Sequence, residues 1–124
     1  MTVALSIRQP WIELILRGRK TIEVRTWSTR HRGGLWLHAG LRPDTRALRT
    51  FDLNPDDLIF GALLGRCELY DCIELNELTW ERWRSRHLNK GPLERRQFGW
   101  MLRNPCRMAP VNFKGRLGLM RIED

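Results

Sequence analysis

The stretch Gly18-Arg19-Lys20-Thr21-Ile22-Glu23-Val24-Arg25 decides how this chain is read. It opens on a glycine, which tolerates the left-handed backbone that ends a helix. It then alternates. Ile22 and Val24 fall on one side, and Glu23 and Arg25 on the other, as in a half-buried strand. Trp27 continues the Glu23/Arg25 face. Upstream, Trp11, Leu14 and Ile15 are spaced as one apolar helix face, with Pro10 in the first turn and Gly18 as the stop. Residues 3–7 read as a short strand. An ammonium, a carboxylate and a guanidinium thus follow one another just past a helix end.

Working outward, Gly33-Gly34 opens a strand over residues 35–38, and residues 43–51 form a short helix. Residues 59–70 read as a long strand in which Gly61 and Gly65 demand a bend or bulge. Residues 77–88 read as a helix with acidic residues early and arginines late, matching the helix dipole. Two last strands, 98–103 and 113–122, are separated by Asn104-Pro105 and Pro110. About five or six strands with two or three helices, and no regular alternation, predict an α+β domain or small barrel.

The chain has 124 residues and 42% hydrophobic content, which fits one domain over residues 1–124 with an ordinary core. No apolar run nears the ~18 residues that cross a bilayer, and the start lacks a secretion-signal pattern. No membrane association is expected. Cys67, Cys72 and Cys106 form no Cys-x-x-Cys pair, and no histidine lies at zinc-ligand spacing. Neither a metal, a cofactor nor a disulfide framework is expected; free thiols point to the cytoplasm.

Net charge is +8, and only Lys20, Lys90 and Lys114 are lysines among 22 cations. Arginine suits phosphate forks and stacking on bases. Charge is segregated along the chain. Residues 17–49 carry nine cations and two anions, residues 50–81 one cation and eight anions, and residues 82–121 eleven cations and one anion. This pattern predicts a basic face, an acidic back and a polyanionic partner.

Six stretches, in order and across almost the whole chain, resemble the activating signal cointegrator homology (ASCH) domain. They are Leu-Ser-Ile-Arg-Gln-Pro-Trp at 5–11, the Gly18 to Arg25 signature, and Arg-Gly-Gly-Leu-Trp-Leu-His at 32–38. Gly-Ala-Leu-Leu-Gly at 61–65, Phe-Gly-Trp-Met-Leu-Arg-Asn-Pro at 98–105 and Lys-Gly-Arg-Leu-Gly-Leu at 114–119 follow. The resemblance implies a PUA-like β-barrel, with a cleft between barrel and first helix lined by signature residues. It also implies RNA or DNA binding, and some family members cleave RNA or remove acyl groups.

The candidate site residues follow from their chemistry. Lys20 and Arg25 can hold phosphate oxygens, while Glu23 orients them or accepts from a base or ribose hydroxyl. Ser6 and Gln9 come from the strand–helix junction bordering the same cleft, and Gln9 can read a base edge. Trp27, Arg30 and Arg32 mix an aromatic with cations, as strand-tracking surfaces do. Arg82, Arg84, Arg86, Arg95 and Arg96 are diffuse phosphate contacts. Trp80 and Trp83 pack their helix, and His31, His38 and His87 are too scattered to form a catalytic pair.

The expected function is binding of RNA or single-stranded nucleic acid, with DNA as second candidate. One alternative is a metal-independent ribonuclease or nucleoside-acting hydrolase with Lys20, Glu23 and Arg25 as catalytic groups. For acetylcytidine-deacylating members the resemblance implies a Lys, a Thr and a distant Glu. Lys20 matches the first, but Glu23 occupies the Thr position, Thr21 points elsewhere, and the distant Glu has no aligned counterpart, Glu94 being a guess. That chemistry is therefore disfavoured. The other alternative is a protein-interaction module docking through the acidic 52–81 region.

Overall fold

In the structure, a computed structural model describing residues 2–113 and 119–122, residues 11–16 wind into the helix α1 (Trp11–Leu16). Gly18 stops it at φ 77°. The amides of Arg19 and Lys20 both donate to the Leu14 carbonyl, so the chain turns tightly and enters β2 (Ile22–Arg25). The preceding strand is β1 (Thr2–Ile7). Then come β3 (Gly33–Ala39), α2 (Thr45–Thr50), a 3-10 turn at Pro55–Asp57 and β4 (Ala62–Glu74). Two short helices, α3 (Glu77–Arg82) and α4 (Arg84–His87), lead to β5 (Phe98–Asn112) and β6 (Leu119–Ile122).

The strands form one six-stranded sheet in the order β2-β5-β4-β3-β1-β6. Only the β1–β3 pair is parallel. This is the expected α+β small barrel, curled around α1, with four short helices where two or three were anticipated. Leu5, Ile12, Ile15, Leu37, Leu69 and Trp100 meet in its core, all at most 1% exposed. Trp100 also donates its indole N–H to the Trp27 carbonyl. Among the described residues no helix is long and apolar enough to cross a membrane.

Two expectations are corrected. The helix over 77–88 breaks at Trp83, whose φ −100° and ψ 20° leave the helical region. In an unbroken helix Trp80 and His87 would be about 10.5 Å apart along the axis. The break lets their rings stack with centroids at 4.1 Å. The strand over 98–103 does not end at Asn104-Pro105 but runs on to Asn112. Its register against β4 shows why. Arg66 pairs with Cys106 and Glu68 with Arg103, so Asn104 and Pro105 together face Cys67 in a bulge. Met108, Ala109 and Pro110 likewise face Leu64. Neither proline occupies a regular ladder position, so the missing N–H disrupts little. Of the anticipated strand over 113–122, residues 119–122 pair with β1; the Lys114–Gly118 part of the last motif lies outside the described residues.

These bulges bend β4 and β5 and increase their twist, which curls the sheet over α1. Gly65 sits at the closest approach. A Cβ there would lie 2.5 Å from the Cys106 carbonyl oxygen and 2.6 Å from a Leu16 methyl. Because one neighbour is backbone, Gly65→Ala is expected to destabilise the fold by about 1–3 kcal/mol. Equilibrium urea unfolding checks this: a lower midpoint with an unchanged slope is the expected result.

Candidate functional site

The turn from α1 into β2 aims Lys20 inward. The Thr21 amide donates to the Arg86 carbonyl, which fixes the start of β2 against α4. Lys20 is only 2% exposed. Its Nζ donates to the His87 carbonyl oxygen at 2.6 Å and lies 4.5 Å from the centre of the Trp11 ring. Glu23, 6% exposed, has Oε1 at 3.7 Å from that ammonium, an ion pair without a direct hydrogen bond. Its Oε2 accepts from Arg25 Nε at 2.9 Å. The guanidinium of Arg25 then turns away and donates through Nη2 to the Ser6 carbonyl at 2.8 Å. Lysine, glutamate and arginine thus form one line of alternating charge.

Above this line lies a cleft of about 520 Å³. That volume lies within the roughly 300–1,000 Å³ usual for small-molecule sites. Trp11, Lys20 and Glu23 line one side, Arg46 and Phe51 the α2 side, and residues 88–97 supply the rest of the wall. Trp11 is held by a hydrogen bond from its indole N–H to Asp44 Oδ2 at 2.9 Å and by an edge contact with Phe51 at 5.6 Å. Asp44 also caps α2 by accepting from the Ala47 amide, so one carboxylate fixes both the helix and the aromatic wall. His87 is fully buried beneath the loop. The Asn89 amide donates to its Nδ1, so Nε2 carries the hydrogen and donates to the Trp80 carbonyl. Burial pushes its pKa down, which keeps the ring neutral.

The structure separates the sequence-derived candidates. Lys20 and Glu23 line the cleft together. Arg25 touches Glu23 but does not line it. Ser6 bonds His38 through its hydroxyl and Arg25 through its carbonyl. Gln9 is 0% exposed, with its amide donating to the Ile59 carbonyl and accepting from the Glu13 amide. It joins loop to helix and presents no base-reading edge, correcting its placement at the cleft. Trp27 is corrected likewise: it packs edge-on against Trp100 at 4.7 Å as part of the core margin. Arg32 bonds the Thr29 and His31 carbonyls and pairs with Asp71, while Arg30 is exposed nearby; neither lines the cleft.

The expected acidic back is also corrected. Antiparallel pairing of β4 with β5 brings Glu68 to Arg103 and Glu74 to Arg96, so acid from one stretch neutralises base from another. Arg46, Lys90 and Arg95, by contrast, are exposed on the cleft lining and, like Glu94 on the same lining, have no ion-pair partner among the described residues. Asp44, Arg46, Phe51 and residues 88–92 are site residues that sequence reasoning missed, whereas Arg95 was expected only as a diffuse phosphate contact and Glu94 only as an unaligned acid. The Asn89-Lys90-Gly91-Pro92 turn beside two arginines was the available signal.

Burial is the largest influence on Lys20. It lowers the ammonium pKa from 10.5 to about 8, against the opposing pull of Glu23. The folded protein therefore holds this proton less tightly than the unfolded chain. Its contribution to stability is least below about pH 8 and rises as pH climbs from there toward the unfolded value. In 13C-lysine-labelled protein, one Cε resonance should titrate with a midpoint near 8 and vanish in Lys20→Met. A Lys20 midpoint at the ordinary value would show that the ammonium is hydrated rather than buried.

Comparison with known proteins agrees with the fold and the signature. The ASCH domain profile matches residues 5–111. Activating signal cointegrator 1 of Mus musculus is 43% identical over 81 residues, covering 56% of this chain and 14% of that protein. The Homo sapiens protein of the same name is 41% identical over 81 residues, with the same coverage. The chain thus spans about a seventh of the curated relatives it matches. In fold it is similar to the crystal structure of ASCH from Zymomonas mobilis, with TM-score 0.72 at 15% identity over 98% of this chain and 87% of that one. A point mutant of the same protein matches with TM-score 0.72 at 15% identity, covering 98% and 90% of the two chains. With the profile spanning most of its length, this chain belongs to the ASCH domain family.

Proposed function

We propose that the cleft binds single-stranded nucleic acid, RNA foremost. The observation that carries this reading is the pairing of a buried ammonium and carboxylate, Lys20 and Glu23, with the unpaired cations Arg46, Lys90 and Arg95 on the same cleft. The inner pair offers a donor and an acceptor within 3.7 Å of each other, as recognition of a base or ribose edge requires. The outer cations meet phosphates, which supply most of the affinity but no sequence information. A cleft of this size admits an unpaired nucleotide, whereas a duplex hides its base edges from so narrow an opening. The association of ASCH domains with RNA or DNA binding agrees with this reading.

Fluorescence anisotropy with labelled single-stranded RNA, single-stranded DNA and duplex RNA tests the proposal. Single strands should bind more tightly than duplex, with affinity falling steeply as salt rises. Arg46→Ala and Arg95→Ala should each flatten the plot of log affinity against log salt by about 0.7. Affinity that does not change between low and high salt would overturn it.

A second reading, RNA cleavage, is favoured by the lowered Lys20 pKa beside Glu23. At neutral pH Lys20, with its pKa lowered to about 8, is still mostly protonated, and Glu23 Oε1 lies 3.7 Å from it. Glu23 would take the proton of a 2′-hydroxyl as its oxygen bonds to phosphorus. Lys20 would give a proton to the departing 5′-oxygen as the P–O5′ bond breaks. Arg25 acts through Glu23 by orienting its carboxylate. Cleavage of a short RNA should then persist in chelator and disappear in Lys20→Met. Intact RNA after long incubation with the wild-type protein would sink this second reading while leaving binding in place.

A further inference from the structure

The cleft continues on the side of α3 and α4. A second hollow of about 350 Å³ opens there and shares Phe51, Leu88, Asn89 and Lys90 with the first. The two therefore make one groove with a common waist. Beyond that waist the walls are Glu81, Arg82, Arg84 and Ser85.

The charge of this extension is set by which groups are already engaged. Glu81 is ion-paired with Arg84. Arg84 also donates to the carbonyls of Asn89 and Gly91, so it is committed to holding the rim loop. Arg82 and Lys90 are exposed and have no ion-pair partner among the described residues. The extension thus presents net positive charge. Phe51 stands at the waist, half-buried, in a T-shaped contact with Trp11 and with the Arg19 guanidinium over its ring, 5.8 Å from the centre.

A free nucleoside or mononucleotide would use only the first hollow. An aromatic ridge followed by unpaired cations is what a neighbouring nucleotide needs, since bases stack on aromatic rings and the linking phosphate seeks cations. Building on the nucleic-acid reading above, we propose that the ligand is a phosphodiester-linked strand running through both hollows. One nucleotide enters over Lys20 and Glu23. The next passes Phe51, with its phosphate toward Lys90 and Arg82. The minimal ligand that satisfies the groove is a dinucleotide.

Isothermal titration at low salt with uridine 5′-monophosphate and with di- and tetrauridylate, 2′-O-methylated to prevent cleavage, tests this. The oligomers should bind about tenfold or more tightly than the mononucleotide, as one additional stacked base and phosphate contribute. Arg82→Ala and Ser85→Glu change the extension alone, and each should reduce the oligomer-to-mononucleotide affinity ratio several-fold. Equal affinity for mononucleotide and tetranucleotide would overturn the strand path while leaving a nucleotide-binding cleft. An affinity ratio that survives both substitutions would also overturn it, placing the second nucleotide elsewhere. No binding by any of these ligands or by longer single strands would overturn the nucleic-acid reading itself, and the strand path with it.

Discussion

The buried ammonium of Lys20 is the constraint on which the site depends. Removing an ion from water costs several kcal/mol even after the surroundings relax. Here the charge is met by a carbonyl, a carboxylate and an aromatic face, all within 4.5 Å. The carbonyl is that of His87, at the end of α4, where a helix leaves its last acceptors unpaired. The Thr21 amide takes the adjacent Arg86 carbonyl. The entry of β2 therefore caps α4 with two consecutive residues. The break at Trp83 that creates α4 and the burial of Lys20 are two aspects of one arrangement.

A hydrophobic residue of similar length would fill this space without the desolvation cost, and buried ion pairs are often no more stable than such replacements. Stability alone does not account for the buried pair. Arg25 is placed to orient it. Its guanidinium is committed to Glu23 and to the Ser6 carbonyl, so it holds the carboxylate in place and ties the end of β2 to β1 across the curled sheet. The same residue thus orients the site and helps close the barrel.

Much of this was legible in the sequence, for identifiable reasons. Gly18 marks a helix stop because few other residues adopt φ 77° comfortably. The alternation from Ile22 to Arg25 put Glu23 and Arg25 on one face, and they do meet there. The period failed beyond the strand end: Trp27 lies outside β2, where alternation no longer says which way a side chain points. Gln9 was misplaced because a polar residue beside a candidate cleft reads as available, whereas its amide was needed to bond Ile59 and Glu13. Pro105 and Pro110 signalled strand ends, yet a bulge accommodates both, and bulges depend on pairing between distant strands. The turn at residues 89–92 and its neighbouring arginines were visible, but their place on the far wall of the cleft with α2 was not, since only the tertiary fold brings them opposite Lys20.

Charge shows most clearly how topology rewrites a linear pattern. Along the chain, acid and base are separated into blocks. Antiparallel pairing lays part of the acidic block on part of the basic block, joining Glu68 to Arg103 and Glu74 to Arg96. These pairs are exposed and each contributes about 0–1 kcal/mol, so they do little to hold the fold. Their larger effect is to cancel the field over that part of the sheet. Cations not cancelled in this way include Arg46, Lys90 and Arg95 on the cleft, where Glu94 offsets part of their charge, and Arg82 on its extension, and their excess favours the approach of an anion. A site built on a buried lysine thereby gains an electrostatic approach from residues far from it in sequence.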